Sequence, residues 1–241
     1  MYENIERIYR ERLLSQEPIL RDDDIQLQYI LNYLPNNKNA FLLDAGCGNG
    51  KYAFYLSDLG YSNLFAVDLF ANINTKKFKY QQSSIDSLPF EDSSFDFIYS
   101  NSVIYYLENP EDGIVEFNRV LKSGGILFLT AHTKYSLFTL WRVFKRDILK
   151  LKSMEHLHGI KFYSANYYKT ILEKNGFELI LQNGYKSSFV LYPLYYKIIK
   201  VFDKFLNIKL PPFNKNIKID HNVIKSEIAY HSVFVARKMY D

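Results

Sequence analysis

Short apolar runs and longer stretches of helical spacing take turns along the middle of this chain. The runs AFLLDA (40–45), NLFAVD (63–68), FKYQQS (78–83), FDFIYS (95–100) and GILFLTA (125–131) predict strands. The spacing near 50–59 and 110–121 predicts helices between them. Strands separated by helices imply βαβ units and a mostly parallel sheet covered by helices on both faces. Ligands of such sheets sit at the carboxyl ends of the strands, where the strand order reverses.

The ends of the chain follow other rhythms. The first forty residues predict two helices, 3–15 and 22–34, which form an N-terminal helical cap over residues 1–38. Asp22, Asp23 and Asp24 open the second helix and Pro35 ends it. After residue 131 the alternation breaks. YSLFTLWRVFKRDILKLK (135–152) places aromatic and aliphatic residues at helical spacing with no strand directly behind it. Alternation returns with a helix over YSANYYKTILEKNGF (163–177), stopped by Gly176, and a strand over ELILQNGY (178–185). It is interrupted again by SSFVLYPLYYKIIKVFDKFLNIKLPPF (187–213) and closes on the strand AYHSVFVARK (229–238). We read residues 1–241 as one domain with two lid or substrate inserts, 132–162 and 185–228. No internal repeat or low-complexity tract divides it.

Charge sharpens that division. Residues 1–131 hold 11 Lys and Arg against 18 Asp and Glu, and residues 132–241 hold 19 against 8, which together give the net charge of +4. A basic later half attracts an anionic substrate, a membrane surface or nucleic acid. The single cysteine, Cys47, excludes an intramolecular disulfide and a thiolate-rich metal site, and leads to the expectation of a cytoplasmic protein. MYENIERIYRERLL has no apolar core of the kind a signal peptide needs.

The chemistry concentrates at FLLDAGCGNGKY (41–52). Gly46, Gly48 and Gly50 follow the first strand and open the first helix, where bare backbone admits a ligand closely. A dinucleotide fingerprint would place glycine at 51, where Lys51 stands, and Asp44 precedes the loop. A carboxylate there repels a pyrophosphate and favours a ligand with a positive group. Asp68, at the end of NLFAVD, is correctly spaced to accept both hydroxyls of a ribose. S-adenosylmethionine (SAM) combines a ribose with cationic groups.

LLDAGCGNG (42–50), FAVDLF (65–70), SLPFEDSSFDFIYSNSVIYYL (87–107) and EFNRVLKSGG (116–125) occur in an order that resembles the class I SAM-dependent methyltransferases, within them the type 11 small-molecule group. The resemblance implies an α/β, Rossmann-like doubly wound sheet of seven strands, mostly parallel with the last antiparallel, and helical inserts forming a lid. It also implies SAM as cofactor and S-adenosylhomocysteine as product. By the same resemblance Asp44, Gly46, Cys47, Gly48 and Gly50 hold the methionyl part, and Asp68 with Leu69 the ribose. Ser84 and Ile85 hold the adenine, and Asn101 and Ser102 the methionyl group from the fourth strand. Ser84 stands where the group usually has aspartate, Ser123 where it has proline, and Tyr106 where a histidine is common. FANINTKK (70–77) replaces a full helix.

Methyl transfer from a sulfonium is an in-line displacement, and a hydroxyl acceptor benefits from a general base. His132, at the carboxyl end of the fifth strand, is the first candidate, with Tyr106, Tyr105, His156 and His158 beside it. The two histidines of EHLHG lack an acid pair, so no metal site is expected. The acceptor is expected to be a small anionic or amphipathic molecule methylated on a hydroxyl, such as a phosphorylated or nucleotide-linked sugar or a surface-glycan precursor. A lipid or quinone at a membrane surface, touched through the basic aromatic inserts, is the alternative. RNA is disfavoured, because SNSV (100–103) stands where exocyclic-amine enzymes of this fold resemble NPPY. A SAM-binding protein without catalysis is a further alternative, and the oligomeric state is left open.

Overall fold

The computed structural model describes residues 20, 24–151, 154, 157, 160–185, 226, 227, 229 and 231–240. Its strands are β1 (Phe41–Ala45), β2 (Asn63–Asp68), β3 (Lys79–Gln82), β4 (Phe95–Asn101), β5 (Leu121–His132), β6 (Phe177–Tyr185) and β7 (His231–Lys238). They form one sheet in the order β3-β2-β1-β4-β5-β7-β6. The pairs among β1 to β5 are parallel, and β7 runs antiparallel to both β5 and β6. The fold class expected from the sequence is the one observed. β7 enters between β5 and β6, so the last strand of the chain is an interior strand of the sheet.

The helices are α1 (Ile25–Tyr33), α2 (Lys51–Asp58), α3 (Pro110–Val120), α4 (Leu137–Asp147) and α5 (Ala165–Lys174), and all but α2, which Gly50 opens, start where short polar side chains satisfy the first free amides. Asp24 accepts from Leu27 N, Asn109 from Glu111 N, Ser136 from Thr139 N and Ser164 from Tyr167 N. Pro110 at the first position of α3 needs no amide partner.

Alternate strand residues feed two cores, one on each sheet face. Leu43, Ile98, Leu127, Leu129 and Phe234 pack with α3 and α5 through Phe117 and Tyr168. Leu42, Phe97, Tyr99, Phe128 and Val235 pack with α1 and α2 through Ile30 and Leu56. A sheet buried on both faces explains why its strands read as nearly unbroken apolar runs. Strand order reverses between β1 and β4, which opens the crevice above their carboxyl ends.

Two local features differ from a regular alternation. β5 begins at Leu121, directly after α3, four residues before the run that marked it in the sequence. Residues 69–78 contain no helix, in line with the short FANINTKK connection. The helix expected at 3–15, His156, His158 and nearly all of the insert 185–228 lie outside the described residues.

Candidate active site at the switch point

The chain leaves β1 through a loop that β2 holds from beneath. Gly46 N and Cys47 N both donate to Val67 O, at 2.8 and 2.9 Å, and Gly48 N donates to Asp68 Oδ2 at 2.9 Å. Gly46 has φ +82°, and a Cβ there would lie 2.3 Å from Val103 Cγ2. Gly50, at φ +77°, forms the amino end of α2, and a Cβ there would press on Phe78 and Ile73 at 3.0 and 3.2 Å. Both positions require glycine for backbone conformation and for space. Cys47 is buried, and burial followed by the charges of Asp44 and Asp68 pushes its thiol well above the usual range. That makes it a packing residue and not a nucleophile.

Asp44, next to last in β1, and Asn101, the last residue of β4, lie on either side of the reversal. Asp44 is 1% exposed, and burial pushes its carboxyl well above the usual carboxylate range. The Asp68 charge adds to the rise, while the neighbouring Tyr99 hydroxyl and Lys51 oppose it. Asp44 Oδ2 and both side-chain polar atoms of Asn101 are buried without a hydrogen-bond partner, and Tyr99 Oη, close to Asp44, makes no bond of good geometry either. Buried polar atoms are rarely left so, and each adds about 1–3 kcal/mol of unsatisfied desolvation. A ligand carrying an ammonium and a carboxylate would satisfy them, which is what the amino-acid end of SAM offers. The residues present fit that group.

Asp68 is 4% exposed and lies at the floor of the cleft. Its Oδ1 accepts Phe70 N and Ala71 N at 2.9 and 3.0 Å, so the chain turns sharply after β2. Oδ2, with Gly48 N as its one such bond, keeps a lone pair for a hydroxyl. The cleft holds a cavity of about 90 Å³ that opens to solvent. Gly46, Leu69, Ser84, Ile85, Val103 and Tyr106 line it around Asp68. Five of the positions expected at the cofactor, together with Tyr106, therefore share one cavity wall. Ser102 faces elsewhere. It adopts φ +58°, donates its amide to Thr130 Oγ1 at 2.9 Å, and places Oγ 3.3 Å from His231 Nδ1.

His132 ends β5, 6% exposed, with its ring centroid 4.5 Å from that of Tyr105. Tyr105 lies against Tyr106 at 4.7 Å, so His132 stands one ring behind the cleft wall. Leu157 and Ile160, from the first insert, are buried against Tyr105. Arg146 holds the end of α4 to that segment by donating to Leu157 O and Ile160 O at 2.8 and 2.9 Å.

Three further side chains that the sequence reading did not single out, His231, Gln26 and Tyr185, reach this end of the sheet. His231 is the register partner of His132, with ring centroids 4.3 Å apart, and it stacks on Tyr185 at 4.7 Å. Gln26, from α1, donates to Tyr185 Oη at 2.5 Å and accepts from Tyr52 Oη at 2.7 Å. Asp24 receives Lys51 Nζ at 3.1 Å, so α1 is clamped to the helix that opens the glycine loop. Nothing local marks Gln26 or Tyr185. His231 could have been found from the end of the terminal strand, opposite His132.

The sheet order, the glycine turn after β1 and the acidic residue ending β2 define a class I SAM-dependent methyltransferase fold. Residues 43–129 match the family described as "Methyltransferase domain", and this stretch is identified as a methyltransferase domain of that class. A malonyl-[acyl-carrier protein] O-methyltransferase of Enterobacter lignolyticus is 32% identical over 103 residues, 40% of this chain and 41% of that one. A ubiquinone biosynthesis O-methyltransferase of Rickettsia canadensis is 26% identical over 174 residues, 66% of this chain and 70% of that one. The match spans 41% to 48% of the length of the first curated relatives. Among solved structures, a chain from the "Complex between the Haloferax volcanii Trm112 methyltransferase activator and the putative methyltransferase" superposes with a TM-score of 0.64 at 18% identity, covering 100% of this chain and 99% of that one. At that identity the shared property is the fold.

Proposed function

We propose that this protein transfers a methyl group from SAM to a hydroxyl of a small amphipathic acceptor. The observation that carries the reading is the pair of unsatisfied groups, Asp44 Oδ2 and the Asn101 amide, at the strand ends beside the glycine loop. Asp44 would take the ammonium of the cofactor, Asn101 its carboxylate, Asp68 Oδ2 a ribose hydroxyl, and Ser84 with Ile85 the adenine edge. When bound, SAM supplies an electrophilic methyl group on a sulfonium.

The protein's part is alignment and proton handling. Well-oriented reactants gain on the order of 7 to 11 kcal/mol over free encounter. His132 would take the proton of the acceptor hydroxyl as its oxygen bonds to the methyl carbon, with His231 and Tyr105 fixing the ring. Tyr106 and Phe162 give this side an aromatic wall, since Phe162 lies 6.0 Å from Tyr105 and 6.4 Å from His132. Rings of this kind favour an acceptor with an apolar body. The O-methyltransferase names of the Enterobacter and Rickettsia relatives support oxygen as the acceptor atom.

The test is incubation with radiolabelled SAM and extracts of the native cell, fractionated into lipid and aqueous phases. Label in an organic-soluble or amphipathic hydroxyl compound is expected. Label confined to nucleic acid, or absent while SAM still binds in calorimetry, would overturn the acceptor or the transfer respectively.

A further inference from the structure

One half-buried amide touches both sides of the candidate site. Gln26, in the first turn of α1, donates Nε2 to Tyr185 Oη at 2.5 Å and accepts from Tyr52 Oη at 2.7 Å through Oε1. Nε2 also lies 3.4 Å from Thr130 Oγ1, which receives the amide of Ser102. The two ends of an amide are chemically different, and Asp24 decides which way this one points. That carboxylate already receives Leu27 N and Lys51 Nζ at 3.0 and 3.1 Å, while Tyr52 Oη stands 3.2 Å from both its oxygens. Tyr52 has a single proton to give, and burial pushes its phenol up, so it remains a donor. Its shortest contact is the one to Gln26 Oε1, which leaves Nε2 for Tyr185.

Each partner of Gln26 leads to one half of the site. Tyr52 lies in the first turn of α2, directly behind the glycine loop. Its ring meets Tyr99 edge-on at 6.5 Å, and Tyr99 is the register partner of Asp44. Tyr185 ends β6 and lies flat on His231, with ring planes parallel and centroids 4.7 Å apart. His231 in turn stands 4.3 Å from His132. Tyr52, Tyr185, His231 and His132 are all buried. Contiguous packed rings and hydrogen bonds of this kind carry energetic coupling between sites. An ammonium ligand at the loop holds Asp44 as the carboxylate, which places a new charge beside Tyr99 at one end of this chain of contacts.

We infer that Gln26 is a positioning residue, which transmits occupancy of the cofactor loop to His231 and His132 through Tyr52 and Tyr185. The inference rests on the reading of the cleft as a SAM site with His132 as the base.

The probe is S-adenosylhomocysteine, which carries the amino-acid end and the ribose of SAM and needs no acceptor. The chain has five histidines, few enough to resolve each ring by magnetic resonance after labelling of the ring carbons. His132→Gln and His231→Gln assign the two signals. In the wild-type protein the ligand is expected to shift both. Gln26→Met keeps the length of the side chain and loses both hydrogen bonds, so it should still bind the ligand in calorimetry while the shift of His231 is lost. Gln26→Glu should restore the shift, because its carboxylate accepts from both tyrosine hydroxyls. Tyr185→Phe keeps the stack on His231 without the hydroxyl and should lose the shift as Gln26→Met does, and it decides the matter if Gln26→Met fails to fold. A glutamine that only packs predicts a lower melting temperature for Gln26→Met with the shift intact. An unmoved His231 signal in the wild-type protein, or the same movement in Gln26→Met and Tyr185→Phe, overturns the inference and leaves the cofactor reading standing. No binding of S-adenosylhomocysteine to the wild-type protein overturns that reading and the inference with it.

Discussion

Asp68 Oδ2 accepts the amide of Gly48 at 2.9 Å, so the carboxylate expected to bind the ribose also ties the glycine loop of β1 to the end of β2. With Phe70 N and Ala71 N on Oδ1, one side chain satisfies three backbone donors. Removing it acts on the fold and on the ligand together. Asp68→Ala should lower the melting temperature and reduce SAM affinity about a hundredfold or more, since unsatisfied buried donors are each worth about 1–3 kcal/mol. Asp68→Asn should lose less stability and still lose affinity. Unchanged affinity of Asp68→Ala in calorimetry would remove this residue from the cofactor site.

The raised pKa of Asp44 gives cofactor binding a pH dependence. In the free protein its folded pKa stands above the unfolded value of about 3.9. Its contribution to stability is therefore full below that value and is lost as pH rises through the folded pKa. An ammonium ligand needs the carboxylate, so SAM affinity should rise over the same interval and binding should release protons. Calorimetry in buffers of different ionisation enthalpy measures that release. Asp44→Asn should bind SAM more weakly with a flat pH response, and should leave the free protein at least as stable at neutral pH. A pH-dependent affinity in this variant would place the titration elsewhere.

Gly46→Ala meets two obstacles, a left-handed backbone and Val103 at 2.3 Å. The backbone contribution alone is about 1–2 kcal/mol. The substitution should destabilise the protein and impair SAM binding, as read by thermal melts with and without the cofactor. Adding Val103→Ala should recover part of the stability by making room, and a full recovery would show that conformation at residue 46 is unimportant.

For the acceptor found by labelling, His132→Gln should lower turnover by about 10²–10⁴-fold and leave SAM affinity within about twofold. His231→Phe keeps a ring against Tyr185 and loses the contact to Ser102 Oγ, so it should alter the acid limb of the pH–rate profile more than it alters stability. Undiminished turnover of His132→Gln would move proton removal to another group.

The sequence by itself determined the elements of the sheet and the place of the cofactor loop. Both depend on neighbours in the chain: apolar runs of strand length, glycines between β1 and α2, and Asp68 at the end of its own strand. The seven strands were legible for that reason, and so were the glycines and the acids around them. The tertiary structure alone decided that β7 lies between β5 and β6, and that this puts His231 opposite His132. It also decided that Gln26 meets Tyr185 across 159 positions of chain, and that Ser102 turns toward Thr130. Contacts of that kind have no local period to reveal them, because they arise from which surfaces two distant segments bury together. Helix α4 belongs to both. Its spacing was visible in the sequence, and its direction was fixed only when Thr139, the small polar residue, became the side that packs.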